Sequence, residues 1–302
     1  MSAVTILLYG GTGAGKSTQL GPLTEEVNIT TGKKTRIYTA DFGGVDTIQP
    51  YIDLGLIEVE PIGAANPWIW LNHIAQGHVF RGGKWVTDGS LNGDIGVYAF
   101  ESAHGIAQLL KMNMEAMAAK GINTGGDTNN SFDVKADGES YKVGTSKGYQ
   151  KFNLPQQEIL GAMYTSFRLP AQYIVWTAGI SKEEDDLMTA AKIVGPEVLG
   201  KALTTVLPKD FNYCFRLGVV PSQAGKSERH ILFLGSHKDP ETGANTTALG
   251  NIRRPLDAGE LKLTTIEPAD IVKALKLVRE DAAKQAKIII EKRIEARKKA
   301  QV

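Results

Sequence analysis

The residues best suited to chemistry in this 302-residue chain stand near its start, in Tyr9-Gly10-Gly11-Thr12-Gly13-Ala14-Gly15-Lys16-Ser17-Thr18. Gly10, Gly15, Lys16 and Ser17 fit the pattern Gly-x-x-x-x-Gly-Lys-[Ser/Thr], which cradles the phosphates of a nucleotide. Four glycines in the six positions from Gly10 to Gly15 let the backbone bend until successive N–H groups face one concavity. A helix opening near Gly15 adds its positive end. Gly10, Gly11, Thr12, Gly13, Ala14, Gly15, Lys16, Ser17 and Thr18 form the candidate ATP-binding set, with Lys16 on the β- and γ-phosphates and Ser17 on Mg²⁺. An apolar run, Val4 to Tyr9, precedes the loop and predicts a buried strand, as the pattern requires.

Such a loop needs a carboxylate for the metal, and that residue must come from a second strand. Residues 95–100 read as a central strand closed by Glu101-Ser102, so Glu101 is the candidate metal-holding acid, directly or through water. Its rival is Asp88, after the shorter run 84–87. A strand over 36–41 ends on Asp41, at the strand end where ligands of open α/β sheets gather. The apolar strand 172–177 ends on Thr177, which is placed either to sense the γ-phosphate and the attacking water or simply to end the strand.

Helices are predicted over 16–28, shortened or kinked by Gly21-Pro22, and over 105–120 and 156–167, with a short strand at 57–62. Residues 212–220 and 229–234 read as two joined strands, so the Gly225-Lys226-Ser227 between them is a decoy, lacking the earlier glycine and the following helix. Three of the four tryptophans, Trp68, Trp70 and Trp85, fall within 66–85. Core or interface packing and base stacking both suit them. Residues 121–151 are polar and Gly-rich, a flexible insertion carrying Lys142, Lys147, Lys151, Tyr141 and Tyr149, with Phe152 just after it, which suits either nucleic acid or plain solvent. From 268 to the end the chain predicts one helix with a basic tip, open to solvent, to a protein partner or to DNA. The expected division is an ATPase domain over 1–265 and a basic helix over 266–302.

Hydrophobic residues make up 42% and charged residues 22%, with a net charge of +1, so no global field points to nucleic acid or membrane. The single cysteine, Cys214, sits in an apolar run and forms no intramolecular disulfide, as expected in a reducing cytosol. No apolar run nears the ~20 residues of a membrane span, and the first strand begins too early for a signal peptide, so a cytoplasmic location is expected. The five histidines show no zinc-ligand spacing.

Taken in order, the phosphate loop, Asp41, Glu101-Ser102, the polar loop, Thr177 and the late paired arginines resemble the ATPase core of RecA-type recombinases. The resemblance is closer to the small RecA-like ATPases of tailed bacteriophages. It covers roughly 4–255 and implies an α/β fold: a mainly parallel sheet flanked by helices, with an added β-hairpin and a long C-terminal helix. It further implies Mg²⁺-dependent ATP hydrolysis by a homo-oligomer, ring or filament, on DNA, with single strands favoured. In that resemblance Asp41 orients water, Glu101 holds Mg²⁺, and Arg253 or Arg254 reaches into a neighbouring subunit's site. Two other functions remain open: a nucleotide-dependent virion-assembly or DNA-packaging component, and a nucleoside monophosphate kinase.

Overall fold

The computed structural model describes residues 3–41, 43–63, 65–119, 132–136, 139–143, 150–181, 184–185, 192–198, 207–220, 229–234, 237–238, 245–248 and 265–299. β1 (Val4–Gly10) leads through a 3-10 turn, Ser17–Gln19, into α1 (Leu20–Thr31), and β2 (Lys34–Thr39) follows. A 3-10 stretch, Gly43–Ile48, precedes α2 (Gln49–Asp53), β3 (Ile57–Pro61) and α3 (Pro67–Ala75). Next come β4 (Val79–Arg81), β5 (Lys84–Val86), β6 (Ile95–Glu101) and α4 (Ala103–Ala119). β7 (Phe132–Ala136), β8 (Glu139–Val143), α5 (Gln150–Ser166) and β9 (Tyr173–Ile180) complete the first part. The remainder holds β10 (Glu184–Asp185), β11 (Lys192–Val194), β12 (Pro196–Glu197), α6 (Leu207–Asp210), β13 (Tyr213–Val220) and β14 (Arg229–Phe233). It ends with β15 (His237–Lys238), β16 (Asn245–Ala248), β17 (Thr265–Ile266) and α7 (Ile271–Lys299).

The central sheet has the order β17-β14-β13-β1-β9-β6-β2-β3, with β12 added to β9. From β13 to β3 every pairing is parallel, whereas β14, β17 and β12 are antiparallel additions. This is the α/β architecture that the sequence implied, a mainly parallel sheet flanked by helices, including the added hairpin (β13 and β14) and the long C-terminal helix. β9 lies between the strand of the phosphate loop and the strand that ends on Glu101, so these two ends face each other across one strand's width.

Alternation along the strands divides the core into two layers. Leu7, Tyr9 and Phe100 pack with α3, α4 and α5, through Ile74, Ile106, Leu110 and Met163 among others. Ile6, Leu8 and Ala99 pack with α1 and the first turns of α7, through Leu20, Leu23, Val27, Ile271, Leu275 and Val278. Helices on both faces explain why β6 is buried along its whole length. Cys214 is buried and free.

Local chemistry moved several boundaries. Pro22 neither shortens nor ends α1, because it is the third residue, where the missing N–H has no partner within the helix. Gly32, at φ 71°, ends the helix instead, its N–H reaching Asn28 O at 2.7 Å. β2 stops at Thr39 rather than Asp41, since the Thr39 hydroxyl bonds both the N–H and the carbonyl of Asp41 and takes the place of the ladder. α5 starts at Gln150, with Pro155 inside it rather than before it. β9 continues to Ile180, so Thr177 does not end a strand. α7 starts at Ile271, where Asp270 Oδ1 accepts the Lys273 N–H at 3.0 Å. After Val278 none of its described residues is buried.

The tryptophan-rich segment packs inward. Trp68 is buried, and Trp85 stacks on His73 and meets Trp70 edge to face. No helix among the described residues is long and apolar enough to cross a membrane.

Candidate functional site

Gly10 closes β1 where β13 runs alongside it, and a side chain there would collide with the Leu217 carbonyl. Gly13 and Gly15 take φ of 77° and 86°, which bends the loop back over the end of the sheet. Lys16 then turns inward, and its ammonium donates to Gly10 O at 3.0 Å and Gly11 O at 2.9 Å. Burial lowers its pKa, and the nearby carboxylates of Glu101 and Asp41 oppose that shift.

Glu101, the last residue of β6, is only 4% exposed. The Ser17 hydroxyl donates to its Oε1, whereas its Oε2 is buried with no hydrogen-bond partner among the described residues. Desolvation raises its pKa and Asp41 adds to the rise, against the Ser17 hydrogen bond and the Lys16 charge. A buried carboxylate oxygen left without a partner is costly unless something cationic completes it. A serine hydroxyl and one carboxylate, with room for phosphate oxygens and water, form the kind of oxygen set that suits Mg²⁺. The residues therefore fit the metal that the sequence implied. Asp88, the rival, stands in an exposed turn, where its Oδ1 accepts the Ser90 N–H at 2.9 Å and that hydrogen bond lowers its pKa.

Asp41 lies two residues past β2, and its Oδ1 accepts the Gly43 N–H at 3.1 Å. Gly44 passes so near Glu101 that an added Cβ would sit 2.9 Å from Oε1. Thr177 is buried within β9, and its hydroxyl accepts the Ser102 N–H at 2.8 Å. Ser102 takes an unusual φ of 63°, and its hydroxyl caps α4 by accepting the Gly105 N–H at 3.0 Å.

The phosphate loop, Asp41, Glu101 and Thr177 line one cleft of about 830 Å³ at the carboxyl edge of the parallel strands. Strand ends of an open sheet converge there. Arg253 and Arg254 lie outside the described residues, as does most of the stretch 121–151, within which β7 and β8 pair as a hairpin. The decoy Gly225-Lys226-Ser227 also lies outside them, and the strands on either side of it pair antiparallel.

The sequence did not single out three other residues that line the cleft, His104, Glu197 and His230. His230 Nδ1 is 3.3 Å from Ala14 O, and an added Cβ on Gly15 would meet its ring at 3.4 Å. The buried Gln19 ties the turn after the loop to α7, giving a hydrogen bond to Ala269 O at 3.1 Å and taking one from the Ile271 N–H at 2.8 Å. No spacing rule points to Glu197 and His230, because strands distant in sequence deliver them through the pairing of β12 with β9 and of β14 with β13, whereas His104 enters from the first turn of α4, three residues past Glu101.

No family model matches the chain, and no curated protein matches it in sequence. Among solved structures it is similar to the KaiC-like protein PH0186 from the hyperthermophilic archaeon Pyrococcus horikoshii OT3, with a TM-score of 0.39 and 10% identity over 82% of this chain and 83% of that one. It is also similar to the flagellar accessory protein FlaH from Methanocaldococcus jannaschii, with a TM-score of 0.38 and 10% identity over 77% of this chain and 78% of that one.

Proposed function

We propose that the chain binds ATP with Mg²⁺ in this cleft and hydrolyses it. The observation that carries the reading is the meeting of Lys16, Ser17 and Glu101, with one buried oxygen of Glu101 left without a partner among the described residues. The loop N–H groups and Lys16 bind and orient the triphosphate, and Ser17 and Glu101 hold the metal, which neutralises charge on the β- and γ-phosphates when bound. The sequence resemblance assigns the attacking water to Asp41, and Asp41 lines the same cleft. Thr177 and Ser102 fix the strand and helix ends around that space.

The wider reading is an oligomer acting on DNA, with single strands favoured, in recombination, repair or replication of the phage-encoded kind. The lysines and aromatic residues of 121–151 and the paired arginines Arg253 and Arg254 support it. Either arginine completes a neighbour's site in this reading.

Phosphate release is measured for wild type, Lys16→Ala and Arg253→Ala/Arg254→Ala, with and without single-stranded DNA. Wild type is expected to turn over, faster with DNA, and each variant alone to be inactive. Activity recovered on mixing the two variants supports a shared site. A wild type that does not bind ATP overturns the reading of the cleft, and turnover that DNA leaves unchanged, by a monomer, overturns the DNA and oligomer parts.

A further inference from the structure

Two side chains of the cleft have no task in that scheme. Glu197 lies on β12, whose two residues pair with Gly179 and Ile180 at the end of β9. Its backbone is held on both sides. Before it, Ser181 donates from its N–H and its hydroxyl to Gly195 O, at 2.9 and 3.1 Å, and the Gly195 N–H returns a bond to that hydroxyl at 3.2 Å. After it, Val198 is buried in the core. Opposite Glu197, Gly179 offers no side chain, and a Cβ there would stand 3.2 Å from Glu197 Oε2. Gly179 follows Ala178, which pairs with Tyr9, so the carboxylate stands at the level where β1 gives way to the phosphate loop.

His104, in the first turn of α4, faces the same carboxylate, with its Nδ1 3.8 Å from Glu197 Oε1. That Nδ1 is buried and has no hydrogen-bond partner among the described residues, and Nε2 is 3.4 Å from Gln108 Nε2. Glu197 remains 45% exposed, open to water from the cleft. Asp41, by contrast, stands on a loop with one carboxylate oxygen engaged by the Gly43 N–H.

We infer that Glu197, rather than Asp41, polarises the attacking water, with His104 as its positioning residue; this rests on reading the cleft as a site of nucleoside triphosphate hydrolysis. In that step the water oxygen bonds to the γ-phosphorus while the bond from that phosphorus to the β–γ bridging oxygen breaks, its electron pair leaving with the diphosphate. Glu197 takes the water proton and later returns it to solvent. A backbone fixed by strand pairing places the carboxylate at the cleft, and His104 beside it biases its direction, the positioning that general-base chemistry requires.

The test measures single-turnover phosphate release and, separately, affinity for a fluorescent ATP analogue. Glu197→Gln is expected to lose about 100-fold in rate with affinity within about threefold of wild type, and His104→Ala to lose about tenfold. Glu197→Asp, which keeps the charge, is expected to recover part of the rate, as a purely structural role would not predict. Asp41→Asn is expected to lose less rate than Glu197→Gln. Turnover by Glu197→Gln within about threefold of wild type, or equal losses of rate and affinity, overturns the inference alone. A wild type that binds ATP but releases no phosphate overturns it together with the proposed hydrolysis.

Discussion

Two groups of buried charge lie on neighbouring strands of one sheet, and they are completed in opposite ways. On β2, Arg36 is 1% exposed, and its guanidinium donates to Glu58 Oε2 at 3.1 Å, Leu91 O at 2.7 Å and Asn92 Oδ1 at 2.9 Å. Nearby, the buried Glu60 on β3 receives a two-pronged bond from Arg81 on β4. On β6, Glu101 is buried about as deeply, but one of its oxygens has no partner among the described residues. Buried charges that are fully bonded hold a fold in one arrangement, whereas an unfinished one in a cleft keeps a place for a ligand. The first group should matter for stability and the second for chemistry.

The largest separation between the groups is expected from Lys16→Ala. It should lower phosphate release by 100- to 1,000-fold, an order-of-magnitude figure for removing one charge-stabilising donor, while leaving the unfolding midpoint near that of wild type. The stability half follows from the cost of burying the Lys16 charge, which already lowers its pKa. Arg36→Ala should do the reverse. Removing one partner from a buried network costs about 3 kcal/mol, read from urea unfolding, with ATP affinity per folded molecule unchanged. If Lys16→Ala destabilised the protein more than Arg36→Ala, the contrast between the two groups would fail.

A pH series sharpens the comparison. Burial raises the pKa of Glu101 above its unfolded value, so in metal-free buffer its contribution to stability is complete below an unfolded pKa of about 4.3 and is lost as pH rises through the folded value. Glu101→Gln lacks that loss. Relative to wild type the variant should therefore gain stability as pH rises above about 4.3, followed by chemical denaturation at each pH. Mg²⁺ and ATP together should stabilise wild type more than the variant.

The smallest effect is expected at the other end of the chain. Truncation after Arg279 removes no buried residue among the described ones, so the melting temperature should move by no more than about 2 °C. Deletion from Pro268 instead strips Ile271, Leu275 and Val278 from the core and should unfold the domain.

The sequence by itself determined the glycine-rich loop, the strand that carries it and the place of Glu101 at a strand end, because these depend on local spacing and on unbroken apolar runs. It also pointed to the long helix, through the absence of interior Gly and Pro. Element ends were less legible. The stop at Thr39 depends on a hydroxyl competing with the ladder, and the start at Ile271 on the Asp270 cap. The strand order was decided by tertiary structure, and with it the gathering of Glu197, His104 and His230 around a loop far away in sequence. So was the division between finished and unfinished charge. A carboxylate on a strand end looks the same in sequence whether or not a guanidinium reaches it, and only the packed sheet leaves one oxygen of Glu101 without a partner among the described residues while closing every bond around Arg36.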